Sequence, residues 1–306
     1  MRVGVVDLGT NSTRLLVADV DGTHVEEVSR RTNITRLGEG VDERRKLLPL
    51  PVARVRNVLS DYRRELEQLG AERVLAIGTS ALRDADNGEA FLGEVEWSYG
   101  FATRLLSGDE EAELTRRGVS NGRVLPDETL VLDVGGGSTE LTTAAERTSL
   151  DVGCVRLTER HLHSDPPTAE ELRAAAAAVR AALPDIEPQE AIGVGGTLPT
   201  LAALELGAYD RDAVHGHRLS RVEVERQLER LASLPLAQRR EVPGLEPERA
   251  PVIVGGVVIV REVLDRYDLD GIEVSERELL HGAALEAAAL PERAEGDVPP
   301  GAYTCC

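Results

Sequence analysis

Residues 7–15 read Asp-Leu-Gly-Thr-Asn-Ser-Thr-Arg-Leu, and residues 133–141 read Asp-Val-Gly-Gly-Gly-Ser-Thr-Glu-Leu. Asp7/Asp133, Gly9/Gly135, Ser12/Ser138, Thr13/Thr139 and Leu15/Leu141 coincide at matching offsets. Each copy follows a short apolar run, as a buried strand would, so each predicts strand, tight turn, strand. An Asp at the strand end sends its carboxylate into the turn. Thr10, Asn11 and Ser12 in one copy, and Gly135, Gly136, Gly137, Ser138 and Thr139 in the other, offer N–H groups and hydroxyls. That is the equipment of a cradle for a phosphate and its cation. One offset differs in sign. Arg14 stands where the second copy has Glu140, so one loop gains a fork for phosphate oxygens and the other a second acid for a metal. Asp133 and Glu140 can face one ion, with Asp7 joining through water. Hard oxygen donors favour Mg²⁺, with Mn²⁺ as a substitute.

Other residues could join this chemistry. Ser107-Gly-Asp-Glu110 is a capping box, which turns Glu110 back onto the Ser107 backbone and leaves Glu111 to project elsewhere. A helix N-terminus is expected to lower the pKa of Glu111. Thr79 and Ser80 sit where a strand meets a helix start, serving as anion site, N-cap or both. Arg36 is a second candidate clamp or an ordinary surface arginine. The pairs His161/His163 and His215/His217 gain no further Cys or His, so a metal centre there is not expected, although His215 could reach substrate.

The elements that must position these groups alternate along 306 residues. Strands over 3–7, 14–19 and 25–28 precede a helix over 49–69, a strand over 74–77, a helix from 88 and a strand over 102–105. After an Asn-Gly-Pro-Asp stretch at 121–127 the pattern restarts with strands over 129–133, 141–144 and 150–155. A capped helix over 168–183, a strand over 192–194, helices from 197, 220 and 252, a strand over 272–274 and a helix over 277–289 follow. This is an α/β class. The expected domains are 1–123 and 124–290, with the last helix able to return to the first domain and a flexible tail over 291–306. The net charge is −19, which disfavours nucleic acid and anionic membranes as partners. Lys46 is the only lysine, so there is no P-loop. Cys154, Cys305 and Cys306 build no disulfide framework, pointing to a reducing cytoplasm.

Six motifs together resemble the exopolyphosphatase/guanosine pentaphosphate phosphohydrolase (Ppx/GppA) family, within the actin, sugar-kinase and Hsp70 superfamily. They are the segments 7–14, Thr-Arg-Leu-Gly-Glu-Gly at 35–40, Gly-Thr-Ser-Ala-Leu-Arg-Asp-Ala-Asp-Asn at 78–87 and Ser-Gly-Asp-Glu-Glu-Ala at 107–112. Leu-Asp-Val-Gly-Gly-Gly-Ser-Thr-Glu at 132–140 and Gly-Val-Gly-Gly-Thr at 193–197 complete the set. The resemblance implies two actin-like (ribonuclease-H-like) domains related by pseudo-twofold duplication, with an active-site cleft between them. It implies the short form of the family, a homodimer, and Mg²⁺-dependent release of orthophosphate from inorganic polyphosphate, or hydrolysis of guanosine pentaphosphate (pppGpp). It places the general base on the Glu before the small residue, Glu111. His281 stands where some relatives carry an Arg for distal phosphates. A kinase or ATPase of the superfamily, using Gly195-Gly196-Thr197 against adenosine, and a non-catalytic guanosine penta- or tetraphosphate sensor remain open at this point.

Overall fold

The computed structural model describes residues 1–122 and 124–291, which divide into two compact units. Unit 1 takes the chain to Arg123 and resumes at Leu279; unit 2 is Val124–Glu278. Cys305 and Cys306, and the expected tail from residue 292 onward, lie outside the described residues.

Unit 1 opens with β1 (Arg2–Leu8), β2 (Ser12–Asp21) and β3 (His24–Ile34). Then come α1 (Val41–Arg44), α2 (Pro49–Leu69), β4 (Arg73–Gly78), α3 (Ser80–Asp84), α4 (Gly88–Tyr99), β5 (Ala102–Leu105) and α5 (Gly108–Ser120). The sheet order is β3-β2-β1-β4-β5, antiparallel in the first three strands and parallel from β1 to β5. Alternate side chains explain the layers. Val6 and Leu8 of β1 pack with Val55 and Leu59 of α2 and Val95 of α4. Val3 and Val5 face the other way, onto Leu114 of α5 and residues of the last helix.

Unit 2 repeats this plan with β6 (Thr129–Val134), β7 (Thr139–Thr142), β8 (Arg147–Leu150), α6 (Cys154–His161), α7 (Ala169–Ala182), β9 (Glu190–Gly195), α8 (Thr197–Leu206) and α9 (Arg211–Val214). The small edge strand β10 (Arg218–Ser220), α10 (Arg221–Ser233), α11 (Leu236–Arg239), α12 (Ile253–Arg266) and β11 (Gly271–Val274) complete it. Its order, β10-β11-β9-β6-β7-β8, contains the unit 1 order with one strand added at the parallel edge. Each unit is thus actin-like. Leu130, Leu132 and Val134 anchor its core against α8 and α12.

One expectation is corrected. The run 150–155 is not a strand: β8 ends at Leu150 and α6 begins at Cys154. Gly153 is where the chain turns, and a Cβ there would meet the Gly136 carbonyl carbon at 2.4 Å. The second unit is Val124–Glu278, and the last helix belongs to unit 1. The final helix α13 (Leu279–Ala289) is nearly all apolar, and Leu280, Ala283, Ala284 and Ala287 bury against the β1–β2 face of unit 1.

Candidate functional site

The two hairpins found in the sequence fold alike. In unit 1, Asp7 pairs across the ladder with Arg14, and Leu8 with Thr13. In unit 2, Asp133 pairs with Glu140, and Val134 with Thr139. The Gly9 N–H donates to the Ser12 carbonyl at 3.0 Å, and Gly135 to Ser138 at 3.1 Å. Among the described residues neither serine returns a bond from its N–H to the glycine carbonyl. An N–H so placed at a turn is available to an anion.

Cross-strand partners share a face, so sign decides what each hairpin does. Arg14 grips Asp7, with Nε at 2.8 Å and Nη2 at 2.7 Å from Oδ2. Both side chains are largely buried. In unit 2 the opposed pair is two carboxylates, Asp133 and Glu140, 5% and 1% exposed. Buried like charges in this relation are unfavourable without a positive group between them. Ser149 Oγ donates to Glu140 Oε1 at 2.7 Å. Gly195, at φ +84°, keeps the space beside Asp133 open, since a Cβ there would sit 2.6 Å from Asp133 Oδ1. No group of three or more His, Cys, Asp or Glu side chains among the described residues could hold a metal by itself. Two buried hard carboxylates fit a divalent cation that completes its shell with water and phosphate oxygens.

The Gly135–Gly137 turn is fastened from below. Cys154 N–H donates to the Gly135 carbonyl, and Val155 and Arg156 N–H groups to that of Gly136. Thr139 Oγ1 bonds the Val152 carbonyl. Burial pushes the Cys154 thiol up to about 11, so it packs and does not react.

In unit 1 the parallel strands β1, β4 and β5 end at one edge, with Leu8 beside Gly78 and Gly78 beside Leu105. Helices α3 and α5 both start just past that edge. The consequence is a contact between residues 28 positions apart: Arg83 Nη1 donates to Glu111 Oε2 at 2.7 Å and to the Leu106 carbonyl at 2.9 Å. The capping box is formed as read, with Glu110 bonded to Ser107 N–H and held by Arg104. Glu111 is buried, and its charge interacts with Asp7, Arg14 and Arg83. Burial raises its carboxyl above the ordinary carboxylate range, and Asp7 adds to this. Arg83 and Arg14 pull the other way without prevailing. The helix N-terminus favours the ionised form, whereas burial moves the carboxyl the opposite way.

Thr10 and Asn11 carry a second loop on their backbone. Asn11 carbonyl accepts the Thr35 and Arg36 N–H groups, and Thr10 carbonyl accepts that of Gly38. Arg36 is half-buried here with φ +51°. Thr79 is the N-cap residue of α3 but makes no side-chain cap bond; Ser80 Oγ lies 3.4 Å from Asp84 Oδ2. The histidines make local contacts. His215 Nδ1 accepts the Glu276 N–H, His217 lies 2.8 Å from Glu205, and His161 ends α6. His281 is buried on α13, 3.9 Å from Glu27.

Arg83 and the docking of residues 35–38 were not read from the sequence as site features. Arg83 lies inside the 78–87 motif, so its signal was present without its partner. Arg249 was also missed: its guanidinium lies against Gly196 at the β9–α8 turn, where a Cβ would meet Nη1 at 2.1 Å.

Two actin-like units, each ending a central strand in an acid-tipped hairpin, define a protein built for phosphoryl groups. The sequence model of the Ppx/GppA phosphatase family matches residues 16–289, and this chain belongs to that family. Exopolyphosphatase 2 of Mycobacterium tuberculosis is 39% identical over 314 residues, 94% of this chain and 98% of that one. Guanosine-5'-triphosphate,3'-diphosphate pyrophosphatase of Photobacterium profundum is 30% identical over 92% of this chain but only 58% of its own length. The solved structure of the Aquifex aeolicus Ppx/GppA phosphatase, type II variant, aligns with a TM-score of 0.75 at 30% identity, covering 94% of this chain and 99% of that one.

Proposed function

We propose that this phosphatase is an exopolyphosphatase, releasing the terminal orthophosphate of inorganic polyphosphate by in-line attack of water. The observation that carries the reading is Glu111: a buried carboxylate with raised basicity, held by Arg83 within the field of Asp7 and Arg14. A base so placed takes the proton of the attacking water, and a pKa moved toward neutrality suits that work. Arg14, Arg36, Thr10, Asn11 and Ser12 bind phosphate oxygens in unit 1, assisted by Thr79 and Ser80. Gly135, Gly136, Gly137, Ser138 and Thr139 do so in unit 2.

Phosphatases of this family are generally divalent-metal dependent. We assign the ion as Mg²⁺, held by Asp133 and Glu140. When bound it neutralises charge on the phosphoryl oxygens. Polyphosphate is favoured over pppGpp because the exopolyphosphatase relative is the more similar and matches along its full length. A homodimer in the cytoplasm belongs to the same proposal. No helix among the described residues is long and apolar enough to cross a membrane. The test is orthophosphate release from long polyphosphate, tripolyphosphate and pppGpp side by side, with and without Mg²⁺. Preference for pppGpp would overturn the substrate assignment, and no release from any of them would overturn the activity.

A further inference from the structure

The β2–β3 ladder stops one rung short, and an arginine takes the missing place. Ser12 pairs with Ile34 and Thr13 with Asn33, so the next hydrogen-bonded rung would join Asn11 and Thr35. Half of that rung exists: Thr35 N–H donates to the Asn11 carbonyl at 3.1 Å. The reciprocal bond, Asn11 N–H to the Thr35 carbonyl, is not made. The Thr35 carbonyl is instead occupied by Arg54 Nε at 2.6 Å. Arg54 comes from α2, and its Nη2 also reaches Glu39 Oε2 at 2.8 Å and the Arg36 carbonyl at 3.5 Å. One guanidinium therefore spans the whole 35–39 turn.

The peptide units of Thr10 and Asn11 are oriented by the same turn. A trans peptide points its C=O and N–H in opposite directions. Thr10 carbonyl is tied to Gly38 N–H at 2.8 Å, so the Asn11 N–H on that peptide points away from the turn. It finds no acceptor among the described residues. The Asn11 carbonyl, tied to Thr35 and Arg36 N–H, likewise turns the Ser12 N–H away. Arg36 holds a positive φ of 51°, uncommon for a residue with a side chain, and such a conformation persists where surrounding bonds over-determine it. Thr35 is fixed further by its hydroxyl contact with Thr13 at 2.9 Å, and Tyr62 Oη lies 2.8 Å from the Thr13 carbonyl.

We infer that Arg54 is a positioning residue for phosphate binding: by clamping the 35–39 turn, to which the Thr10 and Asn11 carbonyls are tied, it holds the Asn11 amide turned outward as a phosphate donor. Arg54 itself touches no substrate. The inference rests on the phosphate-binding reading of the 7–14 hairpin. An amide that holds phosphate in ground state and transition state alike affects KM and leaves kcat in place.

The experiment uses the full chain, ¹⁵N-labelled, titrated with tripolyphosphate, with KM and kcat on long polyphosphate and the melting temperature measured in parallel. The Asn11 amide resonance is expected to move with saturating tripolyphosphate. Arg54→Gln weakens tripolyphosphate binding and raises KM by about tenfold, the scale of one hydrogen bond to a charged group, with kcat near wild type. Arg54→Lys, which cannot span the turn with a fork, gives most of that loss. A merely structural arginine would lower melting temperature and active fraction with KM unchanged, and that result overturns the inference. An Asn11 amide that stays still at saturation overturns it as well. Should Arg54→Gln fail to fold, Glu39→Gln removes one limb of the clamp and must still raise KM measurably. If the wild type cleaves no polyphosphate, the proposed activity fails, while the tripolyphosphate titration still decides this inference separately.

Discussion

Replacing Glu111 by Gln removes one negative charge and almost no volume. The amide oxygen of Gln keeps the 2.7 Å acceptor position facing Arg83 Nη1, and Arg83 keeps its second bond to the Leu106 carbonyl. The side chain should therefore stay in place, isolating the loss of the base. A positioned general base contributes about 10²–10⁴ in rate, equivalent to roughly 3–5 kcal/mol of barrier. Orthophosphate release from polyphosphate should fall by that factor in kcat, with tripolyphosphate affinity close to wild type. The pH profile supplies a second readout. Burial raises the Glu111 pKa, so wild-type kcat/KM should decline on the acid side at a pH above the ordinary carboxylate range, and the variant should lack that limb. The stability sign follows from the same shift. A raised folded-state pKa gives stability that is complete below the unfolded pKa and lost as pH rises through the folded value. At neutral pH the ionised Glu111 is thus a net cost, and Glu111→Gln should melt no lower than wild type. A kcat loss under tenfold, or a large loss accompanied by a lower melting temperature, would refute Glu111 as the base.

Further expectations follow from the hairpins. Arg14→Met deprives a buried Asp7 of its guanidinium and should destabilise by about 3 kcal/mol, as for breaking a buried pair; Asp7→Asn added to it should restore melting temperature but not activity. Chelation should abolish phosphate release and Mg²⁺ restore it, with Asp133→Asn and Glu140→Gln each moving the Mg²⁺ activation midpoint upward by about tenfold or more. Gly195→Ala forces a Cβ to 2.6 Å from Asp133 Oδ1 at φ +84°, which should cost about 1–3 kcal/mol in strain and raise the same Mg²⁺ midpoint; an unchanged midpoint would show that the space beside Asp133 is not used.

Much of this was legible because it is local. The strand–turn–strand repeat needs only neighbouring residues to form. Its cross-strand partners, Asp7 with Arg14 and Asp133 with Glu140, follow from a two-residue connection between Gly and Ser. The capping box that sets Glu110 aside from Glu111 is equally a property of four consecutive residues. The misread run 150–155 shows the limit of local reading. An apolar stretch there suits a strand or the start of a helix, and packing beneath the Gly135–Gly137 turn settled it as α6.

Tertiary structure decided whatever depends on distance through space. Arg83 meets Glu111 only because β4 and β5 lie side by side and release their helices at one edge. The direction of the Glu111 pKa depends on how completely other segments exclude water, which no spacing in the chain encodes. The attachment of α13 to unit 1, and the seating of residues 35–38 on Thr10 and Asn11, likewise join parts far apart in sequence. Residue order by itself fixed the chemistry each hairpin could hold, since charge type and turn geometry are short-range properties. The fold chose which groups would be buried together, because desolvation and ion pairing act between surfaces that meet only once the sheets have formed.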